Sequence, residues 1–510
     1  MNTSKQSRKS TSFQKRHFGV AVALTVAIAA ASSQSKAAGF TEAPCAFGVE
    51  LPAATDHTLS CGYVDVPAKH RGPAGKTYQL HVAWYKSTSA NRKADPIITL
   101  NGGPGQKTSS YAPLANYLVA AIAPERDLIF FDQRGVGASK PSLDCPQILK
   151  KLQEIPLERV KDQTQVMATE LNNCFTDLEK EGIDLGTFNT VESADDVAVL
   201  AKAVSAEKVN LYGASYGSRL AQEVMRRHPE LLRSVVLDAV VTTDANYIQN
   251  REGTVDAALR KSLNRCLQDE ACNAAFPNLT ERLEKLADRL DQNPIKLPVP
   301  DLQTGEAQEV TVNAAMLGGG LMLGLYATQL VPVLPAIIDD IDRGNTQMLT
   351  LMLQSLQSAT GMSSIGMQAA FGCNDLIPYA RPEDLQPAEK PLKVVSASFG
   401  DVLTAYAKAC EGHKWSPLSA ETREVVKSDI PTLMFSGELD PVTPPQYAQK
   451  VLPGLSRAQF VSFPTGAHGE ITMMPGACAD GLVRAFLDDP ASKLDAACAA
   501  VPHPFQLKLQ

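Results

Sequence analysis

Short apolar runs bounded by turn residues recur in the first half of the chain and again near its end. Pro96–Leu100, Asp127–Phe131, Lys208–Tyr212, Ser234–Leu237, Thr432–Phe435 and Gln459–Phe463 all have this form. Runs without polar alternation predict strands buried on both faces of a mostly parallel sheet. Helical patterns such as Val191–Val204 and Ser218–His228 lie between them. Strand alternating with helix predicts an open α/β sheet with helices on both faces. Two earlier runs, near His57–Val64 and Tyr78–Trp84, alternate more and predict an antiparallel edge.

The alternation stops between Asp238 and Pro431. That interval carries helical patterns at Val255–Leu267, Leu279–Leu290, Val333–Ile341 and Asp401–Ala409, with no comparable series of buried strands. The expected organisation is a core in two parts, residues 38–240 and 416–510, with a mainly helical cap inserted at 241–415. Within the cap, Ala314–Ile338 is nearly all apolar, but Gly318–Gly320, Pro332 and Pro335 interrupt it. A buried pair of cap helices lining a pocket is expected there rather than a membrane segment. No low-complexity tract and no repeat at solenoid spacing occurs.

The first residues change the picture of where the chain works. Lys5, Arg8, Lys9, Lys15 and Arg16 precede an apolar stretch from Phe18 to Ala31, and Ser35 and Ala37 give the small-x-small pattern of a cleavage site. Residues 1–37 therefore read as a signal peptide, with a secreted or periplasmic mature chain. The apolar stretch is shorter than the ~20 residues a bilayer span needs, so no stable membrane insertion is expected after cleavage. Removing the six basic residues of that segment from 48 leaves 42 against 55 acidic, a net charge of −13. That balance does not suit nucleic acid.

All 10 cysteines fall after the cleavage site. An even count in an exported chain predicts disulfides, and proximity pairs Cys45–Cys61, Cys145–Cys174, Cys266–Cys272, Cys373–Cys410 and Cys478–Cys498. Neither a Cys-x-x-Cys nor a His pair at i, i+4 is present, so no metal site is expected.

The candidate chemistry centres on one serine. Val209–Tyr212 runs into Gly213-Ala214-Ser215-Tyr216-Gly217, and a helical pattern follows. Strand, G-x-S-x-G and helix together make the nucleophile elbow of an α/β-hydrolase fold, in which small neighbours admit a strained turn and the hydroxyl stands above the sheet. A similar stretch, Ser396-Ala397-Ser398-Phe399-Gly400, lacks the leading glycine.

A serine hydroxyl needs a base, and the base needs an orienting acid. On this fold they follow in the order Ser, acid, His. Of the histidines after Ser215, His228 lies in the following helix, His413 in the cap and His503 in the tail. His468, in Thr465-Gly466-Ala467-His468-Gly469, follows the strand ending at Phe463 and is the expected base. Glu438 and Asp440 both follow Thr432–Ser436; Asp440, beyond the Gly437 turn, is the expected acid. Leu100-Asn101-Gly102-Gly103-Pro104-Gly105 supplies the oxyanion hole, through the N–H of Gly103, or of Gly102, with that of Tyr216. A phosphate loop would want a following Gly-Lys-Ser/Thr, which is absent.

Taken together these stretches resemble the prolyl-aminopeptidase family and its tripeptidyl-aminopeptidase-like branch. The resemblance rests on Asn-Gly-Gly-Pro-Gly at 101–105, Asp-Gln-Arg-Gly-Val-Gly-Ala-Ser at 132–139 and Gly-Ala-Ser-Tyr-Gly. Gly-Glu-Leu-Asp-Pro-Val-Thr-Pro-Pro at 437–445, Gly-Ala-His at 466–468 and Cys373-Asn374-Asp375 in the cap complete it. It covers most of the chain from about Cys61 onward. It implies release of short pieces from peptide N-termini by a serine peptidase without metal or organic cofactor. Members usually carry His before Gly-Gly-Pro-Gly, where this chain has Asn101. Asp132 and Arg134 are expected to brace loops beside the site. An exopeptidase must also recognise a free α-ammonium, for which Asp375 is the expected carboxylate and Glu252 its rival.

Two other functions share these residues. The same triad and hole serve a carboxylesterase or amide hydrolase acting on a small non-peptide. A non-catalytic binding protein is disfavoured because no triad member is missing, and epoxide or haloalkane chemistry would want Asp in place of Ser215.

Overall fold

The apolar runs become the middle of a nine-stranded sheet in the computed structural model, which describes residues 39–508 apart from 72–74, 156–158, 301–304, 381–389, 400–401 and 472–475. The signal-peptide segment 1–37 lies outside the described residues. In chain order the strands are β1 (Phe40–Glu42), β2 (His57–Pro67), β3 (Thr77–Ser87), β4 (Ile97–Leu100), β5 (Leu128–Phe131), β6 (Val209–Ala214) and β7 (Leu232–Asp238). A hairpin of β8 (Ile295–Pro300) and β9 (Ala307–Val312) follows, and the sheet resumes with β10 (Thr432–Gly437) and β11 (Ala458–Phe463).

Sheet order is β1-β2-β3-β5-β4-β6-β7-β10-β11. The pairs from β5 to β11 are parallel, and the β1-β2-β3-β5 pairs are antiparallel. Every residue of β4, β5, β6 and β10 is buried, which is why these strands carry no polar alternation. One face of the sheet packs Ile98, Ile129, Leu211, Val235 and Met434; the other packs Ile97, Phe130, Tyr212, Val236 and Phe435. The C-terminal ends of β6, β7 and β10 therefore stand side by side, where an open parallel sheet places its reactive residues.

After β7 the chain leaves the sheet and builds a second core, running from Val255 to Val395, from long helices including Tyr247–Gln268, Leu279–Gln292, Ala314–Tyr326 and Leu334–Asp342. The β8–β9 hairpin within it was not expected. Its Ile-Lys-Leu-Pro-Val-Pro run buries only alternate residues, and prolines are tolerated because the hairpin stands alone as two edge strands. The apolar stretch from Ala314 is broken between Tyr326 and Leu334, and among the described residues no helix is long and apolar enough to cross a membrane. Ser398 of the second G-x-S-like stretch lies in a helix, its hydroxyl bonded to the carbonyls of Ala315 and Val394.

Five disulfides join Cys45–Cys61, Cys145–Cys174, Cys266–Cys272, Cys373–Cys410 and Cys478–Cys498, each cysteine with its neighbour along the chain. Such a complement belongs to an oxidising compartment. The C-terminal stretch returns to the cap. The His503 N–H donates to Thr465 Oγ1 at 3.0 Å and the Gln506 N–H to the Pro332 carbonyl at 3.1 Å, while Phe505 packs under the Arg265 guanidinium.

Candidate active site

β6 ends at Ala214, Ser215 turns at φ 56°, ψ −122°, and the helix Tyr216–Arg227 begins at once. A non-glycine residue held there costs on the order of 1–3 kcal/mol and persists only where its surroundings fix it. The flanking glycines permit the turn through close packing. A Cβ on Gly217 would lie 1.8 Å from the Leu100 carbonyl oxygen, and one on Gly213 would lie 2.4 Å from that of Gly217. The strand before the glycine-rich loop is thus pressed against the first turn of the helix.

The carboxylate of Asp440 accepts from the N–H of Val442 and of Thr443, both at 2.8 Å, and from the Thr443 hydroxyl at 2.5 Å. His468 Nδ1 stands 2.9 Å and 3.1 Å from its two oxygens. Glu438, the rival acid, instead pairs with Lys261 Nζ at 2.6 Å and Ser462 Oγ at 2.6 Å. The other histidines are engaged elsewhere or distant: His228 meets Asp195 and His413 meets Glu179. The cap seats the histidine from above. The His468 N–H donates to the Tyr326 carbonyl at 3.3 Å, the Ala467 N–H to Thr328 Oγ1 at 2.9 Å, and the Tyr326 ring packs edge-on against the imidazole at 4.9 Å.

Burial by itself would lower the His468 pKa. The Asp440 charge and hydrogen bond, aided by the Asp238 charge, outweigh it and raise the value above the ordinary 6.5, with Arg251 acting in the opposite sense.

Asp238, at the end of β7, had no expected role. Its carbonyl accepts the Ser215 N–H at 2.9 Å. Its carboxylate accepts the N–H of Glu470 at 2.9 Å and of Ile471 at 3.0 Å, and the Tyr212 hydroxyl at 2.7 Å. One residue therefore fastens the serine turn to the histidine loop. Burial raises the pKa of Asp238, with those donors opposing it. Beside it the pKa of the buried Glu470 carboxyl is raised well above its usual range by burial and by the charges of Asp238 and Asp440.

The glycine-rich loop lies against the serine: a Cβ on Gly102 would be 3.2 Å from Ser215 Cβ. The Gly102 N–H is occupied by Gln106 Oε1 at 3.2 Å, whereas the Gly103 N–H makes no hydrogen bond among the described residues. Gly103 has φ +104°, which favours glycine there. Tyr216 is the first helical residue, and such N–H groups have no intrahelical acceptor. The Asn101 carbonyl accepts from Gln133 Nε2 at 3.0 Å, and its Oδ1 has no partner among the described residues.

Asp132 holds the segment just after this loop, and Arg134 holds the Pro67–Ala68 turn and Thr187. Asp132 accepts the N–H of Thr108 and of Ala138, both at 2.8 Å, and burial pushes its pKa up to about 6. The fully enclosed Arg134 makes a two-point contact with Asp196 at 2.7 Å and 2.6 Å and donates to the Thr187 carbonyl at 2.8 Å.

Asp375 is 1% exposed. Its Oδ2 accepts the Thr190 hydroxyl at 2.5 Å and the Thr190 N–H at 3.3 Å, and Thr190 in turn meets Tyr216 Oη at 3.3 Å. Burial raises its pKa to about 6, with the Arg219 charge opposing. The carboxylate expected to meet a substrate ammonium is thus enclosed behind the serine's helix, shielded by Thr190. Glu252 stands on the cap helix Tyr247–Gln268 and is half-buried. Surface cavities of about 360 and 450 Å³ are lined by residues such as Arg226, Glu424, Arg71 and Ser416, and by none of the triad candidates.

Family comparisons divide the chain in the same places. Residues 95–314 match the alpha/beta hydrolase fold model, and residues 396–498 match the model described as TAP-like protein. Ser215 falls in the first match; Asp440 and His468 fall in the second. The chain is 30% identical to a tripeptidyl aminopeptidase of Streptomyces coelicolor over 235 residues, 43% of this chain and 41% of that protein. It is 23% identical to serine protease Hip1 of Mycobacterium tuberculosis over 457 residues, 84% of each. It is 26% identical to carboxylesterase B of the same species over 279 residues, 50% of this chain and 52% of that one. The tripeptidyl aminopeptidase match thus spans less than half of either protein.

Proposed function

The chain belongs to the α/β-hydrolase family and carries a TAP-like C-terminal region, and from that premise we propose that it is an exported serine exopeptidase releasing short pieces from peptide N-termini. The observation that carries the hydrolytic part is the His468–Asp440 contact, fastened to the Ser215 turn through Asp238. Similarity to a tripeptidyl aminopeptidase and to a serine protease supports peptide as the acyl donor. Five disulfides and the basic-then-apolar N-terminus support export.

In this reading Ser215 Oγ attacks the carbonyl carbon as His468 Nε2 takes its proton. Asp440 holds the imidazole by Nδ1 and stabilises the imidazolium. The carbonyl oxygen becomes negative and is met by the N–H groups of Gly103 and Tyr216. His468 then returns the proton to the departing amine, and water repeats the sequence on the acyl-enzyme. Gln106 keeps the Gly102 N–H occupied, which makes Gly103 the donor of the loop.

His468 must be neutral to accept the proton, so activity is lost as pH falls through its pKa. Because that pKa is raised, half-maximal kcat/KM on the acid side should lie above pH 6.5. A pH profile whose acid limb lies below that value would show that the neighbouring carboxylates do not act as described.

Substrate class is tested with the purified mature chain on a panel of peptidyl amides, free or blocked at the N-terminus, beside simple esters. Free peptides should exceed blocked ones by about tenfold or more in kcat/KM, the scale of one charge-assisted hydrogen bond. Equal cleavage of both would sink the exopeptidase reading. Hydrolysis of esters alone would favour the carboxylesterase reading that the similarity to carboxylesterase B supports.

A further inference from the structure

The cap holds a cation that no carboxylate among the described residues neutralises, and its charge acts on His468. Arg251 lies in the first turns of the cap helix Tyr247–Gln268. That helix runs along the loop bearing the acid: Asn250 Nδ2 donates to Tyr447 Oη at 3.2 Å, and Lys261 pairs with Glu438. The Arg251 guanidinium faces Phe399, with Cζ 5.8 Å from the ring centre, and Nη2 lies 3.9 Å from Met322 Sδ. Met322 is one helical turn, about 6 Å, before Tyr326 on the same face of its helix. Tyr326 is the residue whose ring packs on His468. The guanidinium charge also acts on His468, Tyr326 and Tyr406.

No carboxylate among the described residues pairs with it. Nε of Arg251 is shut away from solvent without an acceptor. Asp256, on the same helix, is committed to Arg260 Nε at 2.7 Å and to the Leu392 N–H at 2.7 Å. Asp440 is committed to His468 and Thr443, and the adjacent Glu252 makes no ion pair with it. Arg251 is half-buried, and a guanidinium has five donors and cannot shed its proton, so holding its Nε without an acceptor between Phe399 and Met322 costs free energy unless an acceptor arrives. The acceptor that suits it is a planar carboxylate.

We infer that Arg251 is a specificity-determining residue that binds a carboxylate on the leaving side of the substrate, and so selects short or acidic peptides. His468 delivers its proton to the departing amine, Tyr326 packs on His468, and Arg251 touches Met322 one turn before Tyr326. That places the cation beside the departing piece. The carboxylate comes either from the C-terminus of a peptide only a residue or two longer than the released piece, or from an acidic side chain in that position. This rests on the peptidase reading above.

The test measures kcat/KM for two substrate pairs with one common N-terminal piece. In the first the departing residue is alanine as free acid or as amide; in the second it is glutamate amide or glutamine amide. Wild-type protein should prefer the carboxylate member of at least one pair by about 10- to 100-fold, the range of a charge-assisted hydrogen bond. Preference in the first pair assigns the C-terminal carboxylate, and preference in the second assigns the side chain. Arg251→Gln should bring the ratio to within about twofold, and Arg251→Glu should reverse it. The ratio is taken within one preparation, so it does not depend on how much of a variant folds. Equal rates in both pairs, or a preference that Arg251→Gln leaves intact, would overturn the inference while the peptidase reading stands. Cleavage of esters but of no peptide would refute the peptidase reading instead. The same ratio, taken on phenyl esters with and without a carboxylate on the leaving phenol, then decides the role of Arg251.

Discussion

Replacing Ser215 by alanine should lower kcat by on the order of 10⁶, to the residue left by binding and the oxyanion donors. The size of the loss follows from removing the only atom that forms the covalent bond, after which the remaining groups act on water alone. The turn itself should survive. Alanine at φ 56° carries the same Cβ as serine, and the backbone contact with Asp238 and the packing of Gly213 and Gly217 do not involve the hydroxyl. Initial rates with an activated ester, beside labelling by a fluorophosphonate probe, check this. Wild-type protein should take up one probe per chain and the variant none. A variant within tenfold of wild type would mean that the nucleophile is another residue. Ser398 would be a poor replacement, since its hydroxyl is bonded inside a helix.

The largest effect on stability is expected at Arg134. Its guanidinium has no solvent contact and closes a set of bonds to Asp196, Thr187 and Ala68, with His70 on the other side of Asp196. Arg134→Met should destabilise the fold by about 3–5 kcal/mol, because Asp196 is left charged and enclosed with only His70 beside it. Adding Asp196→Leu should restore part of the loss, since two apolar groups can pack where one charge cannot. Thermal unfolding of the three variants reads this directly. If the single variant melts with wild type, the pair is energetically idle. A lower melting temperature with undiminished turnover would separate support of the fold from catalysis.

The features legible in the sequence are those whose cause is local. Unalternated apolar runs revealed the buried strands, because burial on both faces leaves no position free for a polar residue. Ser215 was legible because a strand, two glycines and a helix fall within a few residues. Asp440 and His468 were singled out by chain order and by their places after strand ends, and the structure brings them into contact. β1 is only three residues long and owes its existence to pairing with β2, which its own sequence does not encode. The β8–β9 hairpin was hidden by prolines that read as loop.

Contacts that depend on remote chain were not legible. Asp238 ends an apolar run, and its partners in the loop at 469–471 come more than two hundred residues later. Arg251 carries no sequence signal of a role, and only the fold sets it against Phe399 and Met322. Asp375 was expected to meet substrate because its neighbourhood resembled a family motif. The structure bonds its Oδ2 to Thr190, nearly two hundred residues earlier, a contact its own neighbourhood does not encode.

The order of the cross-links bears on how the chain is made. Since every cysteine takes the next one along as its partner, a thread delivered N-terminus first into an oxidising space presents its thiols two at a time. Joining each arrival to the one still waiting reaches the single native pattern out of roughly nine hundred possible for five bridges. A simple dithiol oxidase can complete the molecule as it emerges, with no shuffling enzyme needed to correct earlier choices.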